Sequence, residues 1–411
     1  MISRIIFYLF IFVFLNSCSF QNTGGLFKDR IKELETEIAK KNSKIVFSES
    51  KKFKKEISGI FEGKISEPIV NISWLEKNFA NSNFIPHLKY EDQKRLLYKS
   101  KKLGKNKFGI EELYFEPLIY ENRILLYDPS GNIYNFSISQ EKLTWKFNFY
   151  KKRYKNLPIK LKLKLLDSSL IISDNLGYLY KLDIDSGNLI WAKNYGIPFR
   201  SNIKTDGQSI FLLNQDNKFY KINSKDGEME LSFETFPTLL KSEQETNISL
   251  DTEKNNLYFV TSTGQLYSVN YKTNNLNWLL DLSLTRGQTE GLFFSSPIIF
   301  NKDKLFLSNS VATYSINSMN GRIIWQLPFS TYIRPIALEK FLIVCSKDGF
   351  ILNLDPKTGK VIWSKNLFKD NKKIKLKKVG FINSLLFASN KILASTSNGF
   401  ILFIDHTSGE V

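Results

Sequence analysis

The chain has 411 residues, 58 Lys and Arg against 40 Asp and Glu, and a formal net charge of +18. It holds only two histidines, His87 and His406, and two cysteines, Cys18 and Cys345, so no pair has metal-ligand spacing. The sequence has no Gly-x-Ser-x-Gly elbow and no phosphate-cradling loop, which removes the usual nucleophile and nucleotide chemistries.

In chain order, residues 1–18 read as an export signal. Arg4 precedes an unbroken apolar run, Ile5 to Leu15, that is too short to span a bilayer comfortably. The run ends Leu15-Asn16-Ser17-Cys18. Two readings are open: an ordinary secretory signal with a chance cysteine, or a sequence that resembles a bacterial lipobox, with Cys18 lipidated. With Cys18 lipidated, Cys345 has no disulfide partner in the chain and reads as a small core hydrophobe. Residues 19–92 form a stalk and lead-in, with Lys- and Glu-rich residues 19–66 expected to be a solvated tether. Residues 93–104 look like an outer strand, with Tyr98 where later copies carry tryptophan. That strand is expected to complete the last sheet and leave no open edge.

From 93 to 411 the pattern is all-β. A fifteen-residue phrase starts at Gly131, Gly177, Asn217, Gly264, Val311, Gly349 and Gly399. Its last position is Trp145, Trp191, Leu231, Trp278, Trp325 and Trp363, and the seventh copy stops at Val411. Within a unit, short apolar strands alternate with turn clusters, as in Asp355-Pro-Lys-Thr-Gly359. Four strands per unit of roughly 40–45 residues is the pattern of a β-propeller blade, since a lone sheet with two apolar faces must be stacked. The tryptophans are expected to pin each sheet to the next. Each buries roughly 150–250 Å², about 4–6 kcal/mol gross as an upper bound. The Asp or Asn that recurs once per turn is expected to cap it.

The Gly…Asp…Thr/Ser-Gly…Trp phrase is similar to the PQQ-type propeller repeat. Together with the lipobox and the charged stalk it resembles the BamB family of outer-membrane β-barrel assembly lipoproteins, across nearly the whole chain. That resemblance implies eight blades, whereas seven phrases are visible here. Either the ring has seven blades, or a further blade lies beyond Val411. It also implies an outer-membrane, periplasm-facing scaffold that binds BamA, helps hold nascent outer-membrane proteins, and needs no cofactor. The matching partner loops carry Leu239, Leu240 and Lys241 in one case, and Arg286, Leu292 and Phe293 in the other. Lys241 stands where the family has arginine. The family's acidic positions fall on Leu292 and Phe294, so Leu292-Phe293-Phe294 is either an exposed apolar docking patch or the start of a buried strand. The repeat also occurs in quinone (PQQ)-dependent dehydrogenases, which would require a Ca²⁺ and cofactor pocket at the ring centre. A generic envelope adaptor is a third possibility. An exported chain does not routinely meet nucleic acid, so the basic charge has other uses. Lys369 to Lys378 is a dense basic loop, either merely solvated or facing anionic headgroups or acidic partner loops.

Overall fold

The computed structural model describes residues 53–91, 99–100, 103–104, 108, 117–151, 153–235, 245–283, 293–369 and 374–411. Seven antiparallel sheets follow one another along the chain. They occupy residues 118–148, 161–194, 204–233, 248–281, 299–327, 336–366 and 382–405, here sheets 1 to 7. The first six are four-stranded meanders and the seventh has three strands among the described residues. The expected all-β propeller of four-stranded blades is what forms.

Local chemistry shapes each unit. In sheets 2 to 6 the turn before the fourth strand is capped by Asp or Asn as expected. Asp183 Oδ1 accepts the amide of Ser186, Asn223 that of Lys225, Asn317 those of Met319 and Asn320, and Asp355 that of Lys357. In sheets 1 to 6 the pairing of third and fourth strands slips once, beside the residue opposite the tryptophan position. Such a bulge increases local twist and re-aims the side chain next to it.

The tryptophans then dock onto the next sheet. Trp145, Trp278, Trp325 and Trp363 send their indole N–H to the carbonyls of Ile184, Ser318, Pro356 and His406, at 2.8, 2.9, 3.1 and 3.1 Å. Trp191 sits likewise, but its N–H finds no acceptor among the described residues. Each ring lies flat on a turn glycine of the following unit. A Cβ on Gly187, Gly227, Gly321, Gly359 or Gly409 would come within 2.6–2.7 Å of the facing indole. These glycines also have φ of 70–76°, which an L side chain rarely adopts. Where Leu231 replaces tryptophan, the facing turn carries Asn274 instead of glycine.

Buried apolar clusters join each sheet to its successor from 1 through 7. Cys345 lies in the cluster between sheets 6 and 7, and burial pushes its thiol well up, as befits a core hydrophobe. The closing strand expected at 93–104 falls mostly outside the described residues. On its flanks, Tyr90 bonds Ser389 and meets Phe403 of sheet 7, while Gly104 lies against Asp128 and Tyr134 at sheet 1.

The solvated tether is corrected where it is described. Residues 53–61 cross the outer edge of sheet 6, pairing with its fourth strand (Val361–Asn366) at one bridge, Ile57 to Ser364. Ile57 and Ser364 exchange backbone hydrogen bonds of 3.1 and 3.0 Å, and the amide of Phe61 reaches Thr407 O at 2.9 Å. Phe61 enters the core beside Phe341. Lys54, Lys55 and Glu56, described residues of that stretch, are exposed, and Glu56 pairs with Lys369 at 2.8 Å.

Candidate functional site

Most residues expected to meet a partner lie outside the described residues: Leu239, Leu240, Lys241, Arg286 and Leu292, as does the lipidation candidate Cys18. Phe293 is described, and it corrects the apolar-patch expectation. It is buried in the cluster between sheets 4 and 5, its amide bonds Ser262 O at 2.7 Å, and its ring covers Gly264. A packed aromatic at the start of a unit outweighs exposure of the same side chain. In the basic loop, Lys369 is held by Glu56 and Leu376–Val379 forms a short helix.

The interior of the ring is where polar groups converge. Residues 74–90 pass the first strands of the sheets in ring order. Trp74 pairs with Ile119 of sheet 1, and Leu165 N bonds Leu75 O in sheet 2 at 2.8 Å. Asn81 Nδ2 donates to Thr205 O of sheet 3, while Leu250 N of sheet 4 donates to Asn81 O. Asn83, fully buried, donates to Ile248 O and Ile298 O at 2.9 and 2.7 Å. Phe84 packs on the clusters flanking sheet 6, and Leu88 bonds both sides of the Phe387–Ser389 turn in sheet 7. His87 closes the run: its Nδ1 faces Ser66 O at 2.7 Å and its Nε2 accepts the amide of Asn390 at 3.0 Å, so Nδ1 carries the proton.

An ion cluster sits within this lining. Glu76, 2% exposed, is gripped on one oxygen by Lys164 and on the other by Lys204 at 2.6 Å. Lys204 is wholly buried and also donates to Ala80 O at 2.7 Å. Burial pulls its ammonium down to about 8, with Glu76 opposing. Nearby, Lys77 pairs with Glu245 at 2.7 Å. Burial alone would raise the Glu245 carboxyl, but Lys77, Lys162 and Lys204 outweigh it and hold it below its ordinary value. Sequence reasoning missed Glu76 and its lysines. The available signal was Leu161-Lys-Leu-Lys-Leu165, a strand whose alternate face is cationic where a ring interior should be apolar.

These sheets, docked tryptophan on glycine around an interior filled by the chain's own segment, define a PQQ-repeat β-propeller. The family model described as outer membrane protein assembly factor BamB matches residues 129–365. The chain belongs to that family. Among solved structures, BamB from Moraxella catarrhalis is similar in fold, with 16% sequence identity and a TM-score of 0.53, over 69% of this chain and 81% of that one. No curated protein sequence matches the chain.

Proposed function

We propose that the chain is a non-catalytic scaffold of the outer-membrane β-barrel assembly machinery, on the periplasmic side of the outer membrane. It is held there by lipidated Cys18. It docks a BamA-like barrel protein through the connections at 236–244 and 284–292, and helps present nascent outer-membrane proteins. Membership of the BamB family over residues 129–365 carries this proposal. The filled interior supports a binding role: a quinone-dependent dehydrogenase would need its cofactor at the ring centre, where Asn83, Glu76 and their partners now stand.

The test is co-purification from gently solubilised membranes, which is expected to bring down a large barrel protein. Recovery of the propeller alone would count against the proposal. Cys18→Ala is expected to release the chain into the soluble fraction. Incubation with PQQ and Ca²⁺ is expected to leave no stoichiometric quinone absorbance on the protein, and such a signal would favour the dehydrogenase.

A further inference from the structure

The repeat supplies its own reference for what a unit buries. Phe350, the second residue of its phrase, is buried against Phe329, with the ring centroids 6.3 Å apart. Phe400 holds the same place in sheet 7 and is 40% exposed. Phe381, just before the first strand of that sheet (Ile382–Ala388), is 53% exposed. Both stand at one end of sheet 7. Phe381 N donates to Ser397 Oγ at 3.0 Å, and Ser397 N donates to Phe381 O at 2.8 Å. Phe400 N donates to Thr396 Oγ1 at 3.1 Å. Apolar residues scattered singly on a surface need no explanation, but two bare phenylalanines on neighbouring turns do.

The rim of this patch is cationic. The short helix Leu376–Val379 buries Val379 and leaves Lys375, Lys377 and Lys378 exposed, and none of the three has an ion pair among the described residues. Asn398 ties the helix to the turn that carries Phe400. Its side-chain amide donates to Lys378 O at 3.0 Å and its backbone N–H to Val379 O at 3.3 Å. On the other side, Ile382 N donates to Lys347 O at 3.0 Å, which brings exposed Lys347 alongside. Of the nearby carboxylates, Glu56 is taken by Lys369 and Asp348 accepts the hydroxyl of Ser346.

The chain enters the ring at this same end. Phe53 lines a cavity with Ser346, Asp348, Phe350 and Lys369, so the chain leading back to Cys18 leaves the ring beside the turn that holds Lys347. An anionic bilayer surface matches each part. A lysine held near it gains roughly fivefold in affinity. Long lysine stems let the ammonium groups meet headgroups while aromatic rings seat deeper, at the acyl boundary. Lysines alone would suit any acidic partner; bare phenyl rings beside them, next to the departure point of the anchored segment, select the bilayer.

We propose that the end of sheet 7 formed by Phe381, Phe400, Lys375, Lys377 and Lys378 rests on an anionic phospholipid surface. The nearness of that surface rests on the lipid anchor proposed above; the patch itself does not.

The experiment adds the full-length protein, from dilute detergent, to vesicles of phosphatidylcholine alone or with phosphatidylglycerol. The protein carries an environment-sensitive fluorophore on Phe381→Cys. Cys345 is buried and takes no label, and the parent chain treated alike is the blank. Emission is expected to rise about twofold or more with phosphatidylglycerol vesicles, and to be quenched by nitroxide-bearing lipid, as the label enters the interface. Phosphatidylcholine alone is expected to give no rise, and so is the same label on exposed Met229→Cys of sheet 3. Replacing Lys375, Lys377 and Lys378 together by Gln is expected to abolish the response, as is high salt. No response of Phe381→Cys to phosphatidylglycerol vesicles, an equal response of Met229→Cys, or a full response without the three lysines overturns the assignment. So does a response to a solubilised barrel protein with none to vesicles, which would make the patch a protein-docking surface. Should Phe381→Cys fail to fold, Phe400→Cys decides by the same criteria. Fractionation of Cys18→Ala reads the anchor alone, so the two failures are separable.

Discussion

At the scale of single residues, the repeat works through a pair. Glycine stands at the eleventh position of the phrase only in copies whose predecessor ends in tryptophan: Gly187, Gly227, Gly321, Gly359 and Gly409. Copies without that predecessor carry Glu141 or Asn274. The indole needs the space a Cβ would fill. Leu231→Trp alone is therefore expected to destabilise the fold by roughly 1–3 kcal/mol through overpacking, and adding Asn274→Gly should recover most of it in thermal melts. Trp363→Ala is expected to cost about 3–5 kcal/mol, more than the same change at half-buried Trp145, because Trp363 is fully buried in the cluster between sheets 6 and 7. Glu76→Gln would leave Lys164 and Lys204 buried without their counter-ion, an expected loss of about 3–5 kcal/mol by denaturant unfolding. The tryptophan anchors and turn caps were legible in the sequence because they repeat. Glu76 was not, because a buried ion pair joins residues 76, 164 and 204, and no local pattern links them.

At the scale of elements, the segment before the sheets does two jobs. Residues 53–61 bridge the edge of sheet 6 at Ile57, and residues 74–90 line the ring interior. Ile57→Pro removes the amide that bonds Ser364 and is expected to cost roughly 1–2 kcal/mol. Lifting this strand should also shift Trp363 fluorescence to the red. The ion cluster predicts an acid limb. Because the Glu245 carboxyl is held below its ordinary value of 4.5 in the folded state, the unfolded chain binds more protons in that window. Its stabilisation is present above about pH 4.5 and lost as pH falls through the lower folded value. Glu245→Gln should flatten that part of the stability curve. This element was the least legible one. Its strands are one or two residues long, so neither the period of a strand nor that of a helix builds up, and its lysines and glutamates suggest a free tether.

At the scale of the whole molecule, contacts between sheets run from each unit to its successor, while residues 74–90 tie distant units together. Limited proteolysis is accordingly expected to spare 53–91 despite their composition, and hydrogen exchange should be slow at Asn83 and Leu88. A free tether would be cut between 53 and 66 and would overturn this assignment.

The sequence by itself determined the all-β class, the seven visible units, their turns and their tryptophan docking, because a repeat states the same local physics many times over. It also brought out the resemblance to BamB-type propellers. Only the tertiary structure decided what fills the ring, that Phe293 packs inward, and that Glu76 meets Lys164 and Lys204. Those outcomes depend on which first strands face one another across the interior, and on a desolvation that is felt only once the ring has formed.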